Sequence, residues 1–462
     1  MHSPYHPTIG LEIHAELKTK TKMFCDSRND PDETRPNVNV CPVCLAHPGT
    51  LPTVNKEAVR QILRVGAALS GTLSDYTEFD RKSYFYPDIP KGYQISQYEH
   101  PLVQGGSLNN VAITRVHLEE DTARSSHEHD ASLVDFNRAG VPLMELVTEP
   151  VIHSAEEAGA FARELQLLLR TLGASEANLE KGEMRIEANI SVSKDETFGT
   201  KVEIKNLNSF RSVERAIALE IKRQSALLEK GGKVVQETRG WDEAKQETFH
   251  QRFKEGAADY RYFPEPDIPK MSLNEIPEFS LETITSSLPE LPWHKRERLS
   301  ARGIQDEAVE ILLGDASYGE VYEREIAPMQ DEKVHLASVN VLVGDVRSKN
   351  PSSAQLNNLN GTFLKVMTHF VEGTLSSTNA KASIIGVLLN GGEPVLALQE
   401  SDTKVLQKIV EGVIQEHKGP ADEYRKGKEN ALQFLIGASM KASKGAGNPG
   451  AFKELLVRNL KG

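Results

Sequence analysis

Short stretches of the chain alternate strictly between apolar and polar residues. In TIGLEIHAEL, residues 8–17, Ile9, Leu11, Ile13 and Ala15 alternate with Glu12, His14 and Glu16. Successive side chains of a strand point to opposite faces, so this segment offers one dry face and one bearing two carboxylates and an imidazole. The pattern recurs in TRVHLEEDT, where Val116 and Leu118 alternate with His117, Glu119 and Asp121. It recurs again in MRIEANISV, with Arg185, Glu187, Asn189 and Ser191 on the polar side, and in KVEIKNLNS, with Lys201, Glu203 and Lys205. GVPLMELVTEP adds Glu145 from a fifth segment.

Two helices stand out by a different period. In HSAEEAGAFARELQLLLRTLGA, Ser154 with Glu157 three residues on marks a start, and Phe161, Leu165, Leu168, Leu169 and Leu172 follow at helical spacing before Gly173. A second helix begins near Ser209, carries Val213, Ile217 and Ile221, and closes at KGG. Together with many Gly and Pro turns, residues 1–287 read as an α+β domain. Beyond Pro289 and Pro292 the strand pattern fades into short helices over residues 288–400, and residues 401–462 read as a helical tail.

A length of 462 residues exceeds one ordinary domain. No apolar run of about 18 residues spans a bilayer, and MHSPYHPTIG carries neither a hydrophobic signal core nor an Arg-rich presequence. Three cysteines do not make a disulfide framework, so a reducing compartment, the cytoplasm, is expected. The net charge of −12 argues against a generic nucleic-acid coat. The tail differs: from Lys418 to Gly462 nine Lys and Arg face four Asp and Glu, a net of +5, which suits either a solvated surface or RNA contact.

A sheet with one wet face gives such alternation unaided, but these wet faces are unusually acidic. Clustered carboxylates raise one another's pKa unless a cation neutralises them, and hard oxygen ligands suit Mg²⁺ carrying phosphate. Phosphate needs donors too. FDRKSYFYPDIPKGYQISQ supplies Arg81, Lys82, Lys91, Tyr84, Tyr86 and Gln94, and NLNSF places Asn206, Asn208 and Ser209 where a helix begins. DYRYFPEPDIP sets Arg261 between two tyrosines. No GxxxxGK[ST], kinase signature or nucleophilic triad is present, so a nucleotide site here is not a P-loop. Cys25, Cys41 and Cys44 have zinc-like spacing with three ligands of the usual four, which leaves open both a zinc completed by Asp26, His47 or water and three reduced thiols.

Taken in order, IGLEIHAELKT, NVCPVCLAHPGTLPTVNKEAV, FDRKSYFYPDIPKGYQISQ, HLEED, VDFNRAGVPLMELVTEP, KVEIKNLNSF, DYRYFPEPD and GKENALQFLIGASMKASKGAGNP resemble GatB, a family of subunits of the tRNA-dependent amidotransferase. The resemblance implies a cradle-like catalytic domain built on mainly antiparallel sheet with flanking helices, then an all-α domain and a small tail domain that contacts tRNA. It implies ATP-dependent phosphorylation of the side-chain carboxylate of Glu on tRNA(Gln), or Asp on tRNA(Asn), followed by attack of ammonia supplied by the amidase GatA, with GatC holding GatA and GatB together. It maps metal ligands to His14, Glu119 and Glu145, the expected catalytic trio, with Glu12, Glu187 and Glu203 around a second or shared Mg²⁺. On charge and neighbourhood, Arg81, Lys82 and Lys205 are the expected phosphate residues, with Asn206 and Asn208 beside them. Three departures from the family pattern are visible: Ser27 replaces a cysteine, Ala123 and Arg124 replace Gly and Lys, and Val341 replaces Trp. Two competing readings are an RNA-binding scaffold without catalysis and a metal-dependent phosphohydrolase.

Overall fold

The computed structural model describes residues 4–128, 130–195, 197–253, 260–398, 403–443 and 447–461. The chain divides into two compact units, residues 1–292 and 293–462. The boundary expected between residues 400 and 401 lies outside the described residues.

The first unit is built on β1 (His6–Glu16), α1 (Lys56–Ala68), β2 (Asp80–Ser83), β3 (Tyr93–Ser96), β4 (Val111–Glu120), β5 (Pro142–Thr148), α2 (Ala155–Thr171), β6 (Met184–Ser193), β7 (Val202–Leu207), α3 (Phe210–Glu229), β8 (Glu237–Asp242), β9 (Glu247–Phe253) and β10 (Phe263–Pro264). The large sheet runs β9-β8-β7-β6-β1-β5-β4 and is extended past β4 by Val103–Gln104 and Thr72–Leu73. Within that run every pairing is antiparallel except β7 with β8. A second, three-stranded sheet orders β10-β2-β3. The expected α+β class is therefore what the chain adopts, with a helical C-terminal part.

The dry face is the one the alternation marked. Ile9, Leu11, Ile13, Val116, Leu118, Met144, Leu146, Ile186, Ala188, Ile190, Val202 and Ile204 are all buried. Burial of each large aliphatic among them contributes about 1.5–3 kcal/mol. Helix α1 packs on β4 and α3 on β6 and β7, with α2 against α3, so the helices seal this face. Each helix starts on a side-chain cap that satisfies otherwise orphaned N–H groups. Asn55 accepts from Glu57 and Ala58, Ser154 from Glu157, and Ser209 from Ser212. Gly173, at φ +65°, takes the left-handed turn that ends α2.

In the second unit the described residues form helices around two apolar clusters. One gathers Tyr322, Leu342, Phe363, Val366, Ile384 and Leu388, and includes Val341. The other gathers Leu406, Val410, Leu435, Phe452 and Leu456 from helices Thr403–Glu416, Glu429–Ala442 and Pro449–Lys461. Among the described residues no helix is long and apolar enough to cross a membrane.

Candidate active site

With the dry face sealed, the polar residues of five strands share the opposite face. The antiparallel register sets one row across it: Arg185 on β6 faces His14 on β1, which faces Glu145 on β5, which faces His117 on β4. One step along, Glu187 faces Glu12. Glu203 on β7 faces Asn189. Directly opposed residues lie close enough for side chains to interact, so register alone forces acids and imidazoles together.

A cavity of about 570 Å³ opens over this row. Its floor holds Glu12, His14, His117, Glu119, Glu145, Glu187 and Glu203; Lys82, Arg115, Arg185, Lys201 and Lys205 supply positive charge, and Tyr84, Tyr98, Tyr260 and Tyr262 line it as well. His14 Nε2 lies 3.3 Å from Glu145 Oε2, 3.7 Å from Glu119 Oε1 and 4.0 Å from Glu12 Oε1. His117 Nε2 lies 3.5 Å from the same Glu145 oxygen, and Arg115 Nε donates to its Nδ1 at 3.4 Å. Glu119 accepts from Ser96 Oγ at 3.0 Å, while Glu120, on the other face, accepts from Lys91 Nζ and the Ile95 amide. Those bonds tie the small sheet to the end of β4.

The electrostatics are those of a crowded acid cluster. Burial would lower the pKa of His14, but the hydrogen bond and charge of Glu145, with Glu119 and Glu12, override it and raise it to about 9. Burial, then the charges of Glu145 and Glu187, pushes Glu12 up to about 7. His117 is lowered by its complete burial, so it is the neutral member of the imidazole pair. Lys82 is held well above its ordinary value: burial opposes its charge, and Glu119, Tyr262 and Glu145 outweigh that. Lys205, bonded to Glu187 at 3.0 Å, is raised in the same way.

Three sets of ligand atoms, each within 4.8 Å of one another, are present on the floor: Glu12, His14, Glu145; His117, Glu119, Glu145; and Glu12, Glu187, Glu203. The donor set fits a divalent cation: it is carboxylate-rich, burial and the charges of Glu145 and Glu187 drive Glu12 toward protonation, and Glu145, whose burial is outweighed by its histidine and lysine neighbours, is held well below the ordinary carboxylate range. A proton on His14 takes up part of that negative charge.

The structure thus brings together Glu12, His14, Lys82, Glu119, Glu145, Glu187, Glu203 and Lys205. It does not bring Arg81, Asn206 or Asn208 there. Arg81 turns away and forms a bidentate pair with Glu265 at 2.8 and 2.9 Å, with Asp267 at 3.1 Å and the Tyr93 ring at 4.3 Å. Adjacent strand residues face opposite ways, so with Lys82 at the cavity Arg81 is directed elsewhere. Asn206 and Asn208 line a different cavity with Ser209, Ser212, Trp241 and Glu243, because Asn206 at φ +65° breaks the alternation after Lys205. Of the other cavity residues, His117, Arg185 and Lys201 lie on the polar faces expected to converge but had no role assigned, Tyr262 flanks Arg261 in a stretch already singled out, and Arg115 and Tyr98 are new. Counting back in twos from Glu119 and Glu187 finds His117, Arg115 and Arg185; no comparable periodicity marks Tyr98.

Cys25, Cys41 and Cys44 form a separate cluster with sulfurs within 4.8 Å, and among the described residues no fourth His, Cys, Asp or Glu joins it. Ser27 Oγ and the fully buried Lys22 Nζ each lie 3.7 Å from Cys44 Sγ. The hydrogen bond from Cys25, then the Lys22 charge, lowers Cys44 to about 4 against the pull of burial, and Cys25 is raised in turn.

Residues 7–276 match the family model described as the GatB/GatE catalytic domain, and residues 323–460 match a second, described as the GatB domain. Similar proteins include the aspartyl/glutamyl-tRNA(Asn/Gln) amidotransferase B subunit of Thermus thermophilus, 42% identical over 99% of each chain. That of Gloeothece citriformis is 38% identical over 99% of this chain and 98% of its own, and that of Coxiella burnetii 40% over 99% and 100%.

Proposed function

The chain belongs to the GatB/GatE family, and we propose that its wet-face cavity is where ATP activates the side-chain carboxylate of Glu on tRNA(Gln) or Asp on tRNA(Asn) for amidation. In this reading the chain works in a heterotrimer with the amidase GatA and with GatC, in the bacterial cytoplasm. A carboxylate is a poor electrophile toward ammonia. Transfer of the γ-phosphoryl group from ATP to a carboxylate oxygen makes an acyl phosphate and releases ADP. Ammonia, released from glutamine by GatA, then adds to the acyl carbon, loses a proton, and expels inorganic phosphate to leave the amide.

The observation that carries this reading is the row of His14, Glu145 and His117, flanked by Glu12 and Glu119, lining one cavity with Lys82. His14, Glu119 and Glu145 would hold one Mg²⁺, and Glu12, Glu187 and Glu203 a second or shared ion. When bound, Mg²⁺ supplies positive charge for the phosphate oxygens. The chain's own side chains supply the rest. Lys82, charged at all working pH, neutralises charge on the transferring group, and Arg115, Arg185 and Lys205, each set against a floor residue, raise the positive potential of the cavity. Arg115 sets the His117 tautomer by donating to Nδ1, which leaves Nε2–H to donate toward Glu145 and fix that carboxylate.

Cys25, Cys41 and Cys44 would supply three thiolates to a structural zinc, with water as the fourth ligand; zinc there would cross-link the segment from Cys25 to Cys44. The test of the main reading is phosphate release by the heterotrimer given ATP and Glu-tRNA(Gln). Release that requires the charged tRNA and collapses in Glu119→Ala supports it; a silent wild type or a fully active variant supports a scaffold role instead.

A further inference from the structure

We infer that Tyr84, Tyr98, Tyr260 and Tyr262 form a nucleobase subsite of the cavity, built to stack the adenine ring of an adenosine delivered by the reaction. This deepens the reading above and rests on it, because both of its substrates carry that group: ATP itself, and the 3′-terminal nucleotide to which an aminoacyl group is esterified.

All four rings line the cavity. Tyr98 and Tyr262 stack with centroids 4.4 Å apart and planes 13° from parallel, while Tyr260 meets Tyr84 and Tyr262 edge-on at 5.8 and 6.1 Å. An aromatic cluster serving only the core would be buried. Tyr98 instead keeps 43% of its surface exposed, and the neighbouring Phe85 and Phe263 are exposed too. Flat, open aromatic faces accept any base by its π-surface.

The wall is also held in place. Phe263 pairs with Arg81 across β10 and β2, and the Arg81–Glu265 bidentate pair locks the strand that follows Tyr262. Asp80 accepts from the Tyr98 amide at 2.9 Å. Arg261, between the two tyrosines, sits at φ +47°, a conformation a non-glycine residue keeps only where its surroundings impose it. A rigid wall loses little freedom when a base stacks on it.

Its position matches a nucleotide's polarity. Lys82 Nζ lies 5.1 Å from the Tyr260 ring centre and 5.9 Å from that of Tyr84, and its charge faces Glu119 and Glu145. A base on the tyrosines therefore directs its phosphate or ester end past Lys82 toward the acidic floor.

The experiment compares Tyr98→Phe, which keeps the flat ring, with Tyr98→Leu, which keeps apolar bulk and loses it, each in the heterotrimer. Two quantities are read: the Kd for ATP without tRNA, and the KM for Glu-tRNA(Gln) at saturating ATP. The expected result is wild-type behaviour for Phe and about tenfold weakening for Leu in at least one of the two. A shift in ATP Kd assigns the wall to the ATP adenine; a shift in tRNA KM alone assigns it to the terminal adenosine. No shift in either, or equal losses for Phe and Leu, overturns the subsite. If Tyr98→Leu does not assemble into the heterotrimer, Tyr84→Leu against Tyr84→Phe makes the same comparison. A wild-type heterotrimer without tRNA-dependent phosphate release would instead fail the reading of function, while the ATP Kd comparison would still decide the wall.

Discussion

His14 Nε2 lies 3.3 Å from Glu145 Oε2, and the two residues are direct partners across neighbouring antiparallel strands. The backbone ladder therefore fixes this contact. A proton held between an imidazole and buried acids is what a cation must displace.

The pH dependence of the metal-free heterotrimer follows. His14 binds its proton more tightly folded than unfolded, with a pKa of about 9 against an ordinary 6.5. Its stabilisation is complete below pH 6.5 and disappears as pH rises through about 9. Glu12, raised to about 7, and Glu16, raised to about 8 by burial and the charge of Asp121, work in the same direction: the folded state holds their protons longer. Asp121, lowered to about 2 by Arg185 and Arg138 against burial, loses its stabilisation only in acid. The midpoint of thermal unfolding of the chelator-treated heterotrimer is expected to fall steadily between about pH 5 and 9, and Mg²⁺ to restore most of the loss at the alkaline end. A flat profile over that range would contradict the protonated floor.

Lys82 contributes charge where phosphate is transferred. Lys82→Met is expected to lower kcat about 10²-fold with a smaller change in KM for ATP, the signature of an interaction that tightens in the transition state. Steady-state phosphate release checks it; a loss confined to KM would make Lys82 a ground-state binding residue.

Arg81 is a clamp. Glu265 is buried, so Arg81→Met leaves its carboxylate without its bidentate partner and is expected to cost about 3 kcal/mol in urea unfolding of the first unit. Arg81→Lys should cost less but not nothing, because an ammonium cannot reproduce the fork. The same variants should weaken substrate binding through the displaced Tyr260–Tyr262 segment.

Cys44 is a thiolate at neutral pH in the metal-free protein, with Cys25 and Lys22 holding it down to about 4. Thiolate absorbance is expected to persist down to about that pH in the wild type and to disappear at higher pH in Lys22→Met.

Much of this site was legible in the sequence, and the reason is period. Alternation put Glu12, His14, Glu119, Glu187 and Glu203 on polar faces, and it buried their neighbours as expected. The same rule implied that Arg81 and Lys82 do not share a face, and charge alone had obscured it. What alternation does not contain is strand order. That β1 lies between β5 and β6, putting His14 between Glu145 and Arg185, is a long-range fact of the sheet. The tyrosine wall was illegible for a related reason: Tyr98 and Tyr262 are far apart in the chain, and β2 of the small sheet brings their segments together.

The most direct measurement is chemical capture of the activated carboxylate. Incubated with ATP, Mg²⁺ and Glu-tRNA(Gln) without glutamine, the heterotrimer is expected to form γ-glutamyl phosphate, which hydroxylamine traps as a hydroxamate. Glu145→Gln should keep its affinity for the charged tRNA and form no ATP-dependent γ-hydroxamate, the product distinguished from the α-hydroxamate that hydroxylamine gives with the aminoacyl ester. A variant that still traps the acyl phosphate at the wild-type rate, or a wild type that traps none, would contradict the acidic row as the place where the carboxylate is activated.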